Sequence, residues 1–293
     1  MGVALTNLVA MSVPFNVKSE ENVAPVENKG LKVRFLGTGA ADWNGKNEQG
    51  EQRRFSSVLL DNRVLIDFTS TAFDMLPADC KPKILFYTHS HRDHYEPEAA
   101  LRLGVKYVYV SDTWYDIAKM EFSRAAKELK MELPMFVPVF IGQPVCVDDL
   151  VLTPFAANHS TDNMFEQTLI YLVEKKDVRL LYATDTSGIP SNSARQIGID
   201  VHKDGKPITA LIMEATMGLD HYMDYRIFGH SSVQDVERTV RVLTATKRYI
   251  AVDGQPVYLT HLARTLHGSQ SELDATLPKP LVAAYDGLEV TFA

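Results

Sequence analysis

Apolar residues recur along the chain in short runs of two kinds, alternating and continuous, and both point to strands. The run "LKVRFLGTG" at 31–39 alternates and then ends in two glycines, which predicts a strand closing in a tight turn. "FSSVLL" at 55–60 and "RVLIDF" at 63–68 are separated only by "DN", the spacing of a two-residue hairpin. "KILFYT" and "KYVYV" are apolar throughout, as strands buried on both faces are. Between and after them lie helical patterns, "EPEAALRLG" and the longer "DTWYDIAKMEFSRAAKELKME". Five further strand-like runs follow: "MFVPVFI", "DLVLTPFAA", "TLIYLVEK", "RLLYATD" and "ALIMEA". "HSSVQDVERTVRVL" then places Ser232 three residues before Asp235 at the head of a periodic run, a capping-box signal for a helix start. The chain ends with "PVYLTHL" and "LVAAYDGLEVTFA".

Strands in runs with helices interspersed in both halves predict an α/β protein of two sheets with helices outside. No repeat, low-complexity tract or linker interrupts residues 31–293, which read as one domain. Residues 1–30 read as an N-terminal arm or edge strand followed by the polar linker "SEENVAPVENKG".

Composition narrows the function. The chain has 293 residues, 45% hydrophobic and 23% charged, the profile of a soluble globular protein. Thirty basic against thirty-seven acidic residues give a net charge of −7, and no basic run stands out, which argues against a nucleic-acid partner. Two isolated cysteines, Cys80 and Cys146, form neither a disulfide framework nor a Cys-x-x-Cys zinc site, in keeping with a cytoplasmic protein. No run is long enough to span a bilayer, and the opening "MGVALTNLVAMSVPFNV" lacks the basic start of a signal peptide, so export is the lesser expectation.

The chemistry concentrates in "YTHSHRDHYEP", where His89, His91, Asp93 and His94 fall within six positions after a strand-like run. Imidazole and carboxylate are ligands for zinc, manganese or iron. His89 and His91 alternate and can face one centre, while Asp93 and His94 on the next bend can face a second. Further candidates, His159, Asp185 and His261, each sit at the end of an apolar run, and His230 stands in "IFGHSS". Strand ends are where α/β folds gather their sites. A carboxylate such as Asp185 can bridge two metals, and two metals about 3.5–4 Å apart can share a hydroxide and polarise an ester or phosphoryl oxygen. Asp67 in "LIDF" is either a support for this cluster or a turn residue. His202 and His221 read as hydrogen-bonded core.

The pattern His-x-His-x-Asp-His followed by a later His, Asp and His resembles the metal signature of the metallo-β-lactamase superfamily, over residues 31–293. The resemblance implies a four-layer αββα sandwich, two mixed β-sheets with helices outside. It implies that His89, His91 and His159 hold one metal, that Asp93, His94 and His261 hold a second, and that Asp185 bridges them. "FLGTGAADW", "SSVLLD", "LIMEAT", "GHSS" and "LTHL" are similar to the branch containing ribonuclease Z and the phosphoribosyl cyclic phosphate phosphodiesterases. In that branch Glu214 and His230 match a pair that transfers protons. Two features depart from the phosphodiesterase pattern: "ADWNGKNEQGEQRR" has no cysteine for a structural zinc, and Ala263–Arg264 stands where Ser-His is common. Arg264 and His267 remain candidates to grip a phosphate, since a guanidinium matches its oxygens in a fork.

The expectation is a hydrolase with two divalent ions, zinc or manganese, with iron also suited. Its substrate would be a small cyclic phosphate ester, with Asp93 taking the proton of a metal-bridging hydroxide and His230 with Glu214 protonating the leaving oxygen. Lactone or thioester hydrolysis, RNA processing and non-catalytic metal binding are the other readings. A homodimer is possible, and no membrane partner is expected.

Overall fold

The computed structural model describes residues 16–17, 30–200 and 205–293. His202 and most of the 1–30 arm lie outside the described residues. The strand β1 (Asn16–Val17) does fall within them, and it pairs in parallel with β8 (Val145–Val147) at a sheet edge.

Two mixed sheets stack face to face. One runs β1, β8, β9 (Leu150–Ala156), β10 (Leu169–Lys175), β11 (Val178–Ala183), β12 (Ala210–Glu214), β13 (Val257–Thr260), β14 (Leu281–Ala283). The other runs β15 (Glu289–Phe292), β2 (Leu31–Gly37), β3 (Ser57–Leu60), β4 (Val64–Ile66), β5 (Ile84–Phe86), β6 (Tyr107–Ser111), β7 (Met135–Val139). The period of two decides which residue faces which layer. Val33, Phe35, Val58, Ile66 and Phe86 point between the sheets and meet Leu152, Tyr171, Leu180 and Ile212. Leu36, Leu59, Leu65, Leu85 and Val108 point the other way, under helices α1 (Pro97–Leu103) and α2 (Tyr115–Leu129). Helices α3 (Ser191–Ile197), α4 (Val233–Ala245) and α5 (Gln270–Thr276) cover the outer face of the first sheet. The result is the four-layer αββα sandwich expected. Because both faces of the central strands are covered, their sequences read as unbroken apolar runs.

Local signals account for several of the boundaries. Asp61 and Asn62 take φ of 47° and 57°, the paired left-handed conformation of a type I′ hairpin between β3 and β4. Helix α4 starts at Ser232, whose hydroxyl accepts from the Asp235 amide while the Asp235 carboxylate accepts from the Ser232 amide. Val233, Val236, Val240 and Leu243 are its buried stripe. The glycines of "LGTG" serve a different purpose from the tight turn expected. Neither has positive φ, and a Cβ on Gly37 would lie 1.9 Å from the Phe55 carbonyl oxygen, so they permit close backbone approach. The sequence patterns pass over β8, α3 and α5, which are three to seven residues long. They also run β14 and β15 together as one segment, although these join different sheets.

At the end of the sandwich where the hairpin turns, a buried ion pair joins the two sheets. Lys175 on β10 donates to Asp61 Oδ2 at 2.7 Å and to the Gly30 carbonyl at 2.9 Å. Both side chains are less than a tenth exposed. Removing one partner from such a pair strands the other in a dry environment. Asp61→Asn keeps the left-handed turn and should cost about 3 kcal/mol in urea unfolding. In a Lys175→Met background the same substitution should cost under about 1 kcal/mol, and equal costs in both backgrounds would show that the pair is not coupled.

Candidate metal centre

At the opposite end, strand after strand stops and delivers a polar side chain. Asp67 follows β4, His89 follows β5, His159 follows β9, Asp185 follows β11, Glu214 ends β12 and His261 follows β13. Asp67, Asp185 and His261 have φ of 57°, 48° and 53°. Left-handed backbone at three non-glycine residues costs free energy at each, and it turns these side chains off the strand axis towards a common point.

They converge in two adjoining groups, and Asp185 and His261 also form a third with His230. His89, His91, His159 and Asp185 form one, and Asp93, His94 and His261 form the other. His91 Nδ1 is 3.0 Å from His89 Nε2 and 3.1 Å from His159 Nε2. Asp185 joins the groups. Its Oδ2 is 3.0 Å from His94 Nε2, and its Oδ1 is 3.4 Å from His261 Nε2, 3.7 Å from His159 Nε2 and 3.9 Å from His89 Nε2. Asp93 Oδ2 lies 3.2 Å from His261 Nε2 and 3.3 Å from His94 Nε2.

The outward nitrogens show what such a cluster requires. His159 Nδ1 donates to the Gly229 carbonyl at 2.9 Å and His94 Nδ1 to Asp67 at 2.7 Å. His89 Nδ1 meets the Thr88 hydroxyl at 2.9 Å, and that hydroxyl donates onward to Asp67. His261 Nδ1 meets the Thr216 hydroxyl at 2.8 Å, which donates onward to Glu214. Each hydroxyl has given its own proton away, so each accepts from the imidazole. These partners assign the tautomers, and four imidazoles therefore turn a bare Nε2 inward. His94 Nε2 is fully buried, makes no hydrogen bond and faces two carboxylates. Lone pairs gathered in this way need a cation. In a tetrahedral site with metal–nitrogen bonds of 2.0–2.1 Å the ligand nitrogens stand about 3.3 Å apart, close to the spacing seen here. The residues fit a divalent metal.

Burial and the neighbouring charges act differently on different members of the cluster. Burial lowers His89 well below the ordinary imidazole range, and lowers His91 and His159 less far, which keeps them neutral. Burial alone would raise Asp185 and Asp93, yet the surrounding imidazoles outweigh it and hold both well below the carboxylate range. For His94, burial is outweighed by Asp185, Asp93 and Asp67, which raise it. The two ionised carboxylates and the neutral imidazoles around them leave a site that a divalent cation would complete.

Beside the cluster, His230 Nδ1 is 3.2 Å from both Glu214 oxygens and 3.9 Å from Asp185 Oδ1. Burial would lower this imidazole, but Glu214 and Asp185 push it up to about 9. Glu214 is itself fixed by the amides of Thr186 and Thr216. The other expected contacts do not form. The Arg264 guanidinium donates to the carbonyls of Asp42 and Lys46, and its amide to Asp42 Oδ1. His267 donates Nε2–H to the Ala215 carbonyl, and burial lowers it to about 4, so it is neutral. Both hold loops together, and the neutral His267 offers no cation for a phosphate. Asp67 proves to be turn residue and support at once. His221 is exposed rather than core. The sequence patterns miss Thr88, Thr216 and Glu166, whose carboxylate accepts from the Ser90 amide and hydroxyl between His89 and His91. Thr88 and Thr216 each stand one or two positions from a site residue at a strand end, a signal that could have marked them.

Residues 62–262 match the family described as "Beta-lactamase superfamily domain". The chain belongs to the metallo-β-lactamase superfamily. It carries that superfamily's metal-dependent hydrolase fold with the His/Asp cluster in place. Among curated proteins none matches the chain significantly. Solved structures share the fold at low identity. A diphosphatase of the PhnP family is 20% identical, covering 89% of this chain and 97% of its own, with a TM-score of 0.64. The short form of human tRNase Z is 17% identical over 89% and 99%, with a TM-score of 0.63. Zinc-bound PqqB from Methylobacterium extorquens is 16% identical over 88% and 99%, with a TM-score of 0.58. No helix among the described residues is long and apolar enough to cross a membrane.

If Asp67 holds the ring of His94, Asp67→Asn should weaken metal binding about 10–100-fold in competition with a chelating dye. Unchanged affinity would leave Asp67 only its role in the turn.

Proposed function

We propose that the chain is a dinuclear metal-dependent phosphodiesterase acting on a small, cyclic phosphate ester. The observation that carries this reading is the His230–Glu214 pair at the rim of the metal cluster. An alkoxide is a poor leaving group and needs a proton as its bond breaks. His230 is charged at neutral pH, its Nδ1 is pinned by Glu214, and its side chain remains 18% exposed, so Nε2 is the nitrogen left to donate. Glu214 stabilises the imidazolium and fixes its direction.

Two divalent ions, zinc, manganese or iron, would supply Lewis acidity and an activated water at the cluster. His89, His91 and His159 would hold one, Asp93, His94 and His261 the other, and Asp185 would stand between them. Asp93 turns Oδ2 towards His94 and His261, which leaves its other oxygen to take the proton of the attacking water. The phosphoryl chemistry named for the PhnP-family diphosphatase and for tRNase Z supports a phosphorus substrate. RNA has less support. The segment from Lys106 to Val151 is taken up by β6, α2, β7, β8 and the start of β9, and the net charge is −7. A carboxylic-ester reading, lactone or thioester, is the second one, favoured by the commitment of Arg264 and His267 to backbone carbonyls.

Turnover of a small cyclic phosphodiester beside a lactone, with zinc- and manganese-loaded protein, decides between them. Faster diester cleavage, lost in Asp185→Ala, is expected. Lactone cleavage alone would move the chain to the carboxylic-ester reading. His230→Ala should retain its metal content and lose at least about tenfold more rate on alkyl than on p-nitrophenyl leaving groups. An equal loss on both would remove the acid role.

A further inference from the structure

Large apolar side chains left in water are unevenly distributed over this protein. Among the described residues, the five most exposed are Phe228, Met164, Met223, Phe165 and Tyr225, from 86% down to 73%. All five fall on two loops, the one between β9 and β10 and the one between β12 and α4. Each loop is built into the metal cluster. Phe165 precedes Glu166, whose carboxylate holds Ser90 between His89 and His91. Phe228 precedes Gly229, whose carbonyl holds His159, and stands two residues from His230. The His159–Gly229 bond ties the two loops to each other at the cluster, beside His230, whose side chain is 18% exposed. His230, on the second of these loops, lies against the cluster rings, 4.7 Å from His159 and 5.3 Å from His261 between centroids.

The charge on these loops selects the occupant. They carry Asp162, Glu166, Asp220 and Asp224 against one Arg226 and no lysine, and Arg226 is paired with Asp224 at 2.9 Å. A polyanion or an anionic bilayer would meet net negative charge here. A neutral flat group would meet two benzyl rings, a phenol and two thioethers, surfaces that stack on or pack against aromatic faces.

We propose that Phe165 and Phe228, with Met164, Met223 and Tyr225 beside them, form an apolar clamp that selects esters bearing a neutral aromatic group next to the reacting centre. The clamp rests on the phosphodiesterase reading for the kind of ester but can be tested apart from it. Calorimetry on metal-loaded protein would compare phenylphosphonate with methylphosphonate, which bind without turnover. A preference of about tenfold for the phenyl compound is expected, equivalent to about 1.4 kcal/mol. It should fall towards one in Phe165→Ala and Phe228→Ala. Turnover of phenyl p-nitrophenyl phosphate against methyl p-nitrophenyl phosphate, which share a leaving group, should show the same preference, mainly in KM. A phenyl preference in binding with neither diester cleaved would support the clamp and remove the phosphodiesterase reading. No preference, one that survives both substitutions, or no binding of either phosphonate would overturn the clamp. A dimer converted to monomer by the same substitutions would overturn it in favour of a second copy of the chain seated on these loops.

Discussion

Four imidazoles keep a proton on the nitrogen that faces away from Asp185, and the rest of the site follows from that placement. The outward proton goes to an oxygen that the fold holds in position: the Gly229 carbonyl, the Asp67 carboxylate, or a threonine hydroxyl already committed elsewhere. The inward lone pairs are then fixed before any ligand arrives. A site assembled this way meets an incoming cation with little rearrangement, and its ring orientations survive as long as the outer oxygens stay put. The strained backbone at Asp67, Asp185 and His261 is tolerable for the same reason, since several bonds over-determine each side chain.

The second dependence is a sharing arrangement. The Thr216 hydroxyl accepts from His261 and donates to Glu214, and it lies 3.2 Å from His230 Nδ1. The cluster of candidate ligands and the His230–Glu214 pair therefore meet at one oxygen. A change in the electronic demand on His261 is felt by the carboxylate that governs His230. On the proposed reading, metal binding and proton delivery would be linked through a side chain that itself need not touch substrate.

What can be read from the sequence follows from what spacing can express. His89, His91, Asp93 and His94 announce themselves because four ligand-type residues in six positions rarely fall together by chance. His159, Asp185 and His261 do so because each ends an apolar run. The strands are legible because both faces of the sandwich are covered. Thr88 and Thr216 leave only a faint trace, their place beside a strand-end site residue, and Glu166 leaves none, because a common residue acting singly has no spacing to read. The surroundings of Arg264 are not legible because a sequence shows a guanidinium but not the carbonyls it bonds, and those of Asp42 and Lys46 lie more than two hundred positions away. The glycines of "LGTG" read as a turn, whereas the constraint on Gly37 is the Phe55 backbone, again a neighbour from another part of the chain. The three-residue β8 is too short for any periodicity to register.

The order in which the chain is synthesised gives one feature of the cluster a further meaning. Its members run from Asp67 through His159 to His261, and the last arrives on β13, which joins its sheet between β12 and β14 near the end of the chain. A ribosome that has released the first two hundred residues has exposed His89, His91, Asp93, His94, His159 and Asp185, but not the histidine that completes the second group. Closing that group requires contacts across most of the chain, the kind that form late. An ion held by all of these residues would act as a lock on a finished sandwich rather than a seed for it. Filling of the second group would then mark the end of folding in this protein.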